Sequence, residues 1–190
     1  MQRSANAACE LFDDTDVMNL EVRCQNIKLI LSDVDGVMTD GGIIFDNQGI
    51  EIKRFHVRDG LGIRLWQRCG GHFGIITARN SHIVKLRATE LDIEIVRQGY
   101  SDKLPAAREI AADAGFGMED VCYLGDDLTD LPVLRNAGLA VTVADAAHEV
   151  REAAHLVTQA RGGQGAVRET IETILKAQHR WDDAIAKYVR

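Results

Sequence analysis

The chain has 190 residues, of which 46% are hydrophobic, so it is long enough to form one domain around a substantial core. Its formal net charge of -7 and the absence of a lysine- or arginine-rich block argue against nucleic acid as the main partner and favour a small-molecule task. No apolar run approaches the ~18 residues of a membrane span, and the N-terminus carries acidic residues where a signal peptide would be apolar. We therefore expect a cytoplasmic protein without membrane contact.

Residues 1–25 are polar and weakly periodic, and we interpret them as an N-terminal arm. A single core domain follows at residues 26–190. There, apolar runs predict strands at 27–32, 72–76, 93–97, 121–124, 139–143 and 155–157, and the segments between them predict helices at 60–69, 81–90, 102–114, 128–136, 146–153 and 165–187. This alternation predicts an α/β fold with a doubly wound, Rossmann-like parallel sheet.

The segment 42–55 interrupts the alternation directly after the first predicted strand. Two apolar stretches, Ile43 to Phe45 and Ile50 to Phe55, flank a turn signal in which Gly49 supplies a position suited to φ > 0. We therefore expect a β-hairpin flap that stands over the crevice at the end of the first strand.

Two carboxylates, Asp33 and Asp35, directly follow the first predicted strand. Taken alone, this pair is as typical of a turn as of a functional site. The later strand ends carry Thr77, Asp126 and Asp127, and Lys103 lies at the start of the helix at 102–114. Because the carboxyl ends of parallel strands meet at one edge of a sheet, we expect all six side chains around one pocket. Clustered carboxylates repel one another unless a cation separates them, and oxygen ligands of this kind suit Mg²⁺.

Such a pocket contains the parts that phosphate-ester hydrolysis requires. One carboxylate can accept a phosphoryl group as an aspartyl-phosphate, which splits a difficult displacement into two easier ones. The second can protonate the leaving alkoxide and then deprotonate the attacking water. Mg²⁺, a lysine ammonium and a threonine hydroxyl would neutralise the charge on the transferring phosphoryl group.

In this order, the motifs DVDGxxxDG, strand-Thr, helix-start Lys and GDDxxD resemble the four motifs of the haloacid dehalogenase superfamily, over residues 27 to about 143. The resemblance implies that Asp33 is the nucleophile and Asp35 the general acid/base, while Thr77 and Lys103 hold the phosphoryl group. It also implies that Mg²⁺ is bound by Asp33, the backbone carbonyl of Asp35, and Asp126. Asp127 and Asp130 would be supporting groups, although caps at the start of the next helix are an equally good interpretation.

Three further motifs are VRDGxGIR at 57–64, T-x-R at 77–79 and GGxGAVRE at 162–169. They resemble a narrower family, the capless phosphatases of 3-deoxy-D-manno-octulosonate (KDO) 8-phosphate, in which a hairpin replaces the cap domain. The resemblance implies a role in lipopolysaccharide precursor synthesis and a homotetramer in which hairpins associate and a neighbour's C-terminal segment lies near the site. The implied substrate-binding residues are Asp35, His56, Val57, Arg58, Asp59, Gly60, Arg64, Thr77, Arg79, Arg87 and Lys103.

The chain departs from this family's pattern at three positions. Ala78 replaces a common glycine, His56 replaces a common asparagine, and Gln164 stands where a basic residue is frequent. Two alternatives therefore stay open at the level of sequence. One is a phosphatase for a related sugar acid phosphate of the sialic-acid 9-phosphate type, and the other is a non-catalytic assembly module of a nucleotide-sugar pathway.

Overall fold

The computed structural model describes residues 14–189, which form a six-stranded sheet and a separate two-stranded hairpin. The strands are β1 Leu29–Ser32, β2 Ile44–Phe45, β3 Glu51–Ile52, β4 His72–Thr77, β5 Ile95–Gln98, β6 Val121–Leu124, β7 Leu139–Thr142 and β8 Leu156–Val157. In the large sheet the order is β5-β4-β1-β6-β7-β8, and every pair of neighbours is parallel. The predicted parallel α/β sheet is therefore confirmed, and the strand order reverses direction beside β1, where ligands of such sheets bind.

Helices cover the sheet on both faces. They are α1 Asp14–Asn26, α2 Val57–Arg68, α3 His82–Glu90, α4 Lys103–Asp113, α5 Leu131–Leu134, α6 His148–Ala153, α7 Ala166–Ala177 and α8 Trp181–Ile185. α7 packs against α1 and α2, whereas α5 packs against α4 and α6. Because strands are added on both sides of β1 by right-handed crossovers, these two groups lie on opposite faces. Among residues 14–189, no helix combines the length and the apolar character of a membrane span.

The predicted hairpin is present, and it is the only structure inserted between β1 and α2. β2 and β3 are antiparallel, with Ile44 opposite Ile52. The Asp46 carboxylate accepts hydrogen bonds from the backbone N–H groups of Gln48 and Ile50, both at 2.8 Å, and so closes the turn. Gly49 has φ +77°, as its place in the turn signal predicts.

The prediction of one continuous helix at 165–187 is wrong, because the segment forms two helices, α7 and α8, with a break between them. His179 adopts φ +55°, its N–H donates to the carbonyl of Lys176 at 3.0 Å, and the N–H of Arg180 donates to that of Leu175 at 2.8 Å. This pair of bonds is a Schellman motif, which usually has glycine at the left-handed position. Histidine in that position left no sequence signal for the break.

Three other predicted segments differ in detail. The predicted helix at 128–136 is a 3₁₀ turn at 128–130 followed by the short α5. α2 begins at Val57 rather than at 60, so the VRDG motif forms its first turn. Of the predicted arm, residues 14–25 belong to α1, which packs against α7, and residues 1–13 lie outside the described residues.

Candidate active site

The Asp33 carboxylate lies directly at the carboxyl end of β1 and is buried. One of its oxygens, Oδ1, accepts a hydrogen bond from the backbone N–H of Val34 at 2.7 Å. The other, Oδ2, lies 2.8 Å from Nζ of Lys103. These contacts fix the orientation of the carboxylate, as a nucleophile requires.

Asp33, Asp126 and Asp130 bring one carboxylate oxygen each to within 4.8 Å of one another. Burial and the neighbouring carboxylates raise the pKa of Asp33 to about 6 and that of Asp126 to about 7. The proximity depends on Gly36, which has φ +90° and where a Cβ atom would overlap the Asp126 carboxylate. A hard divalent cation would relieve this repulsion, so the donor set fits Mg²⁺.

Asp130 fixes the loop that carries Asp126. Its Oδ2 accepts hydrogen bonds from the backbone N–H groups of Asp126 at 3.0 Å and Asp127 at 3.2 Å. Its Oδ1 accepts from Lys103 and from the hydroxyl of Tyr123, both at 2.7 Å. Burial lowers the pKa of Lys103, but Asp33 and Asp130 outweigh burial and leave the pKa above its usual value. Asp130 is thus a buried member of the cluster rather than a simple helix cap.

Asp127 and Thr77 take different places around this cluster. Asp127 is exposed and accepts a hydrogen bond from the N–H of Leu128 at 2.8 Å, so it caps the 3₁₀ turn and is not one of the three clustered carboxylates. Thr77 is the last residue of β4 and is buried, and its hydroxyl accepts a bond from the N–H of Arg79 at 3.3 Å. Thr77 therefore lies at the same edge of the sheet as Asp33.

The Asp35 carboxylate faces the hairpin rather than the three clustered carboxylates. Its Oδ1 forms an ion pair with Lys53, which sequence reasoning missed, and its Oδ2 lies 3.6 Å from Nε of Arg79. Arg79 also reaches Glu51 at 3.3 Å. The predicted juxtaposition of Asp35 and Arg79 is therefore present, and the hairpin adds two charged groups to it.

The predicted substrate-binding residues on α2 divide into two groups. His56 occupies the N-cap position of α2 without a side-chain capping bond, Val57 and Arg58 are exposed at the first turn, and Gly60 is buried. Asp59 is also buried, and its Oδ1 accepts a hydrogen bond from the backbone N–H of Arg168 at 2.8 Å. This bond engages one oxygen of Asp59 in capping α7, whereas Oδ2 is buried and has no hydrogen-bond partner among the described residues, so the substrate contact expected of Asp59 stays a prediction.

Two of the predicted substrate-binding residues, Arg64 and Arg87, do not pair with the clustered carboxylates of their own chain. Arg64 donates to the carbonyl of Glu90 at the end of α3, beside a groove lined by Phe73 and Tyr188 at the opposite edge of the sheet. Arg87 pairs with Glu90 at 2.8 Å, and its guanidinium lies 5.7 Å from the ring of Phe55. The expectation that Arg64 lines the same pocket as Asp33 is therefore not met inside one chain.

The glycine-rich loop at 161–165 packs directly on the catalytic loop after β1. The N–H of Gly163 donates to the carbonyl of Val37 at 2.9 Å, and that of Gly162 to the Asp145 carboxylate at 3.0 Å. A Cβ atom at Gly162 would overlap the carbonyl of Gly36. These glycines permit a close approach of two backbones, whereas Gln164 is exposed.

Comparison with known proteins gives concordant matches. The family model described as haloacid dehalogenase-like hydrolase matches residues 67–170. A 3-deoxy-D-manno-octulosonate 8-phosphate phosphatase of Yersinia pestis is 47% identical over 162 residues, which cover 85% of this chain and 87% of that protein. One of Escherichia coli (strain B / BL21-DE3) is 43% identical over 169 residues, with 89% and 88% covered.

Solved structures agree with these sequence matches. The phosphatase of the same name from Moraxella catarrhalis, solved in complex with a magnesium ion, a phosphate ion and KDO, is 40% identical with a TM-score of 0.87. The match covers 89% of this chain and 97% of that chain. A probable yrbi family phosphatase of Pseudomonas syringae reaches a TM-score of 0.89 at 46% identity, covering 91% of this chain and 98% of that one.

Proposed function

We propose a specific phosphatase activity on the premise that this chain belongs to the haloacid dehalogenase-like hydrolases and, within them, to the 3-deoxy-D-manno-octulosonate 8-phosphate phosphatase family. The chain hydrolyses KDO 8-phosphate to KDO and inorganic phosphate with Mg²⁺ as cofactor, in lipopolysaccharide precursor synthesis. The observation that carries this proposal is the cluster of Asp33, Asp126 and Asp130, in which Lys103 pairs with the two buried members Asp33 and Asp130. It occurs in a chain 47% identical to such a phosphatase.

The reaction takes two steps. In the first, an oxygen of Asp33 attacks phosphorus and the bond to the sugar oxygen breaks, while Asp35 gives its proton to the departing alkoxide. In the second, Asp35 takes a proton from water, the water oxygen attacks phosphorus, and the bond to Asp33 breaks. Phosphate leaves and both aspartates return to their initial states.

Other groups hold the phosphoryl group and the cation. Lys103 is buried against Asp33 and is placed to pair with a phosphoryl oxygen, and the Thr77 hydroxyl lies at the same edge of the sheet. Asp33, Asp126 and the backbone carbonyl of Asp35 would hold Mg²⁺. When bound, Mg²⁺ neutralises the negative charge that accumulates on the phosphoryl oxygens.

Arginines near the site supply selectivity for an acidic sugar. Arg79 is 43% exposed and pairs loosely with Asp35, so it can turn to the carboxylate of a substrate. Arg58 at the exposed first turn of α2 and His56 at its cap are further candidates for contact with the sugar, as are Val57, Gly60 and Arg87 beside them. Arg64, at the opposite edge of its own chain, contributes only if assembly brings it to a neighbour's site.

A homotetramer is part of this proposal. The hairpin exposes five large apolar side chains, which is unfavourable in a monomer and supports association through this element. They are Ile43, Ile44, Phe45, Ile50 and Ile52. The neighbour's segment after α7 would then close the site. The cytoplasmic location expected from the sequence stays a prediction.

Steady-state phosphate release across a panel of sugar phosphates tests the function. With saturating Mg²⁺, we expect kcat/KM for KDO 8-phosphate to exceed that for a sialic-acid-type 9-phosphate by at least about tenfold, since each mismatched polar contact costs on the order of 1.4 kcal/mol or more. A preference for the 9-phosphate would reassign the substrate. No release from any ester, with the fold intact, would favour the non-catalytic assembly module instead.

A further inference from the structure

Strand β3 and Lys53, the residue that follows it, present their side chains alternately to the active site and to solvent. Ile52 is 47% exposed and points outward, whereas the Lys53 side chain is only 1% exposed. Glu51, on the other side of Ile52, is 16% exposed and faces inward with Lys53. This alternation of period two gives β3 and the residue after it an apolar outer face and a charged inner face.

The Lys53 ammonium lies between two carboxylates. It forms ion pairs with Oδ1 of Asp35 and, at 3.3 Å, with Oε1 of Glu51. A buried ammonium without partners would cost several kcal/mol, so these two carboxylates account for its position. Because Lys53 is almost fully enclosed, its charge acts on these groups rather than on the protein surface.

Glu51 is in turn anchored to the main fold. Its Oε2 accepts a hydrogen bond from the hydroxyl of Ser81, which caps α3 after strand β4. The backbone N–H of Ser81 in turn donates a hydrogen bond to Oε1 of Gln98 at 2.6 Å. The position of Lys53 is therefore set by the sheet edge through Ser81 and Glu51, and not only by the hairpin.

The two cations on Asp35 differ in how tightly they are held. Lys53 is enclosed and binds Oδ1 directly, whereas Arg79 is 43% exposed and lies 3.6 Å from Oδ2. An incoming anion can draw Arg79 away, but Lys53 has no comparable freedom. The carboxylate would then keep Oδ1 fixed and present Oδ2 to the substrate.

We propose that Lys53 is a positioning residue for the general acid/base: by holding Oδ1 of Asp35 it directs Oδ2 to the leaving-group oxygen and later to water. Lys53 does not touch the substrate. The inference rests on the proposed phosphatase function and extends it, since it makes the hairpin a working part of the catalytic apparatus.

Comparison of two leaving groups tests this role. A sugar phosphate releases an alkoxide, which needs a proton from Asp35, whereas 4-nitrophenyl phosphate releases a stable phenolate that does not. In Lys53→Met, we expect kcat/KM for KDO 8-phosphate to fall by about 10- to 100-fold, part of the 10²–10⁴ that a positioned acid/base contributes. The value for 4-nitrophenyl phosphate should fall less than about threefold, because that ester depends little on acid catalysis.

Two further variants keep the test decisive. Lys85→Met removes an exposed lysine of α3 and should leave both values unchanged. Glu51→Gln keeps the side-chain volume and an acceptor for the Ser81 hydroxyl but weakens the ion pair that anchors Lys53. We therefore expect the same selective fall of kcat/KM for KDO 8-phosphate, of smaller size. It replaces Lys53→Met if thermal unfolding shows that the latter does not fold.

Several outcomes would overturn the role of Lys53. These are an equal fall for both esters, no fall for either, or a raised KM for the sugar phosphate at unchanged kcat, which would mean that Lys53 binds the sugar. Failure of the proposed function is separate, because wild-type protein would then not hydrolyse KDO 8-phosphate. In that case the comparison is made with the alkyl phosphate that wild type hydrolyses best, and absence of all activity contradicts both proposals.

Discussion

At the scale of single residues, the Asp130 carboxylate connects the charged groups of the site to its backbone. It receives hydrogen bonds from Lys103, Tyr123 and two backbone N–H groups, so all its accepting positions are directed inward. Groups that orient metal ligands in this way affect metal affinity without touching the metal. Tyr123 lies within an apolar run and would ordinarily be interpreted as core, which is why sequence reasoning missed it.

Removing the Tyr123 hydroxyl should loosen this network. We expect Tyr123→Phe to lower the free energy of unfolding by about 1–3 kcal/mol, the range for a buried hydrogen bond to a charged group. Mg²⁺ affinity should fall at least severalfold, because the loop that carries Asp126 is less well held. Denaturant unfolding and Mg²⁺ titration measure these effects. The matched control is Tyr188→Phe, whose exposed hydroxyl bonds Arg68, and equal behaviour of the two variants would contradict the argument.

The buried Asp59 carboxylate should make the free energy of unfolding depend on pH. Burial raises its pKa from 3.8 to about 6, although the N–H of Arg168 partly offsets this effect. The folded state therefore binds the proton more tightly than the unfolded state, and the stabilisation present below about pH 4 is lost as the pH rises through about 6.

Asp59→Asn removes this titration while keeping an acceptor for the N–H of Arg168. The free energy of unfolding of wild type, relative to the variant, should fall by ~2–3 kcal/mol between pH 4 and pH 7, since each unit of pKa shift corresponds to about 1.4 kcal/mol. Denaturant unfolding of both proteins across this range gives the difference. A difference that stays constant with pH, or that grows, would refute the assignment.

At the scale of elements, the apolar runs predicted the inner strands β1, β4, β6 and β7 well because these strands are largely buried between two helical layers. β6, for example, is fully buried over Val121–Leu124 and matches its prediction. The break between α7 and α8 was not predicted because the Schellman motif there has His179, and not glycine, at the left-handed position. α5 begins only at Leu131, after Asp130, whose carboxylate accepts a hydrogen bond from the N–H of Asp126.

The site was predictable where a residue directly follows a strand and less so elsewhere. Asp33, Thr77 and Asp126 follow or end β1, β4 and β6, so the sheet itself brings them to one edge. Arg64 is seven residues along α2 from Val57, and a rise of about 1.5 Å per residue carries it ~10 Å down the sheet. Lys53 and Glu51 were missed because their role depends on how the hairpin folds back, which spacing alone does not give.

The exposed apolar face of the hairpin should form part of a subunit interface. Phe45 is 55% exposed, and we expect Phe45→Glu to shift the proposed tetramer to smaller species, since an interface buries such residues at its centre. Light scattering after size-exclusion chromatography measures the mass. Leu86→Glu, at a similarly exposed position of α3, serves as the control and should not alter it. An unchanged mass for Phe45→Glu would exclude the hairpin from the interface.

At the scale of the whole molecule, the fold holds three carboxylates together at a cost to its own stability. The raised pKa values of Asp33 and Asp126, about 6 and about 7, mean that both groups bind a proton more tightly in the folded than in the unfolded protein. Their contribution to stability is present at low pH and is lost as the pH rises through these values. A bound cation reverses this loss, because it takes the place of the protons.

Mg²⁺ should therefore raise the melting temperature more at pH 8 than at pH 6. At pH 8 the carboxylates are ionised and repel one another, so the cation gains most by separating them, whereas at pH 6 protons compete with it. Differential scanning fluorimetry with and without MgCl₂ measures the shift, with NaCl at matched ionic strength as the control. An equal or larger shift at pH 6 would be inconsistent with a carboxylate site.

In the proposed reaction the phosphoryl group passes through Asp33. We would mix the enzyme and Mg²⁺ with KDO 8-phosphate, quench with acid within the first turnover, and search the peptide that contains Asp33 for a phosphoryl group by mass spectrometry. We expect phosphorylated Asp33 in wild type, and neither phosphorylation nor turnover in a folded Asp33→Asn variant. Turnover of wild type without any phosphoenzyme, or full activity of Asp33→Asn, would contradict it.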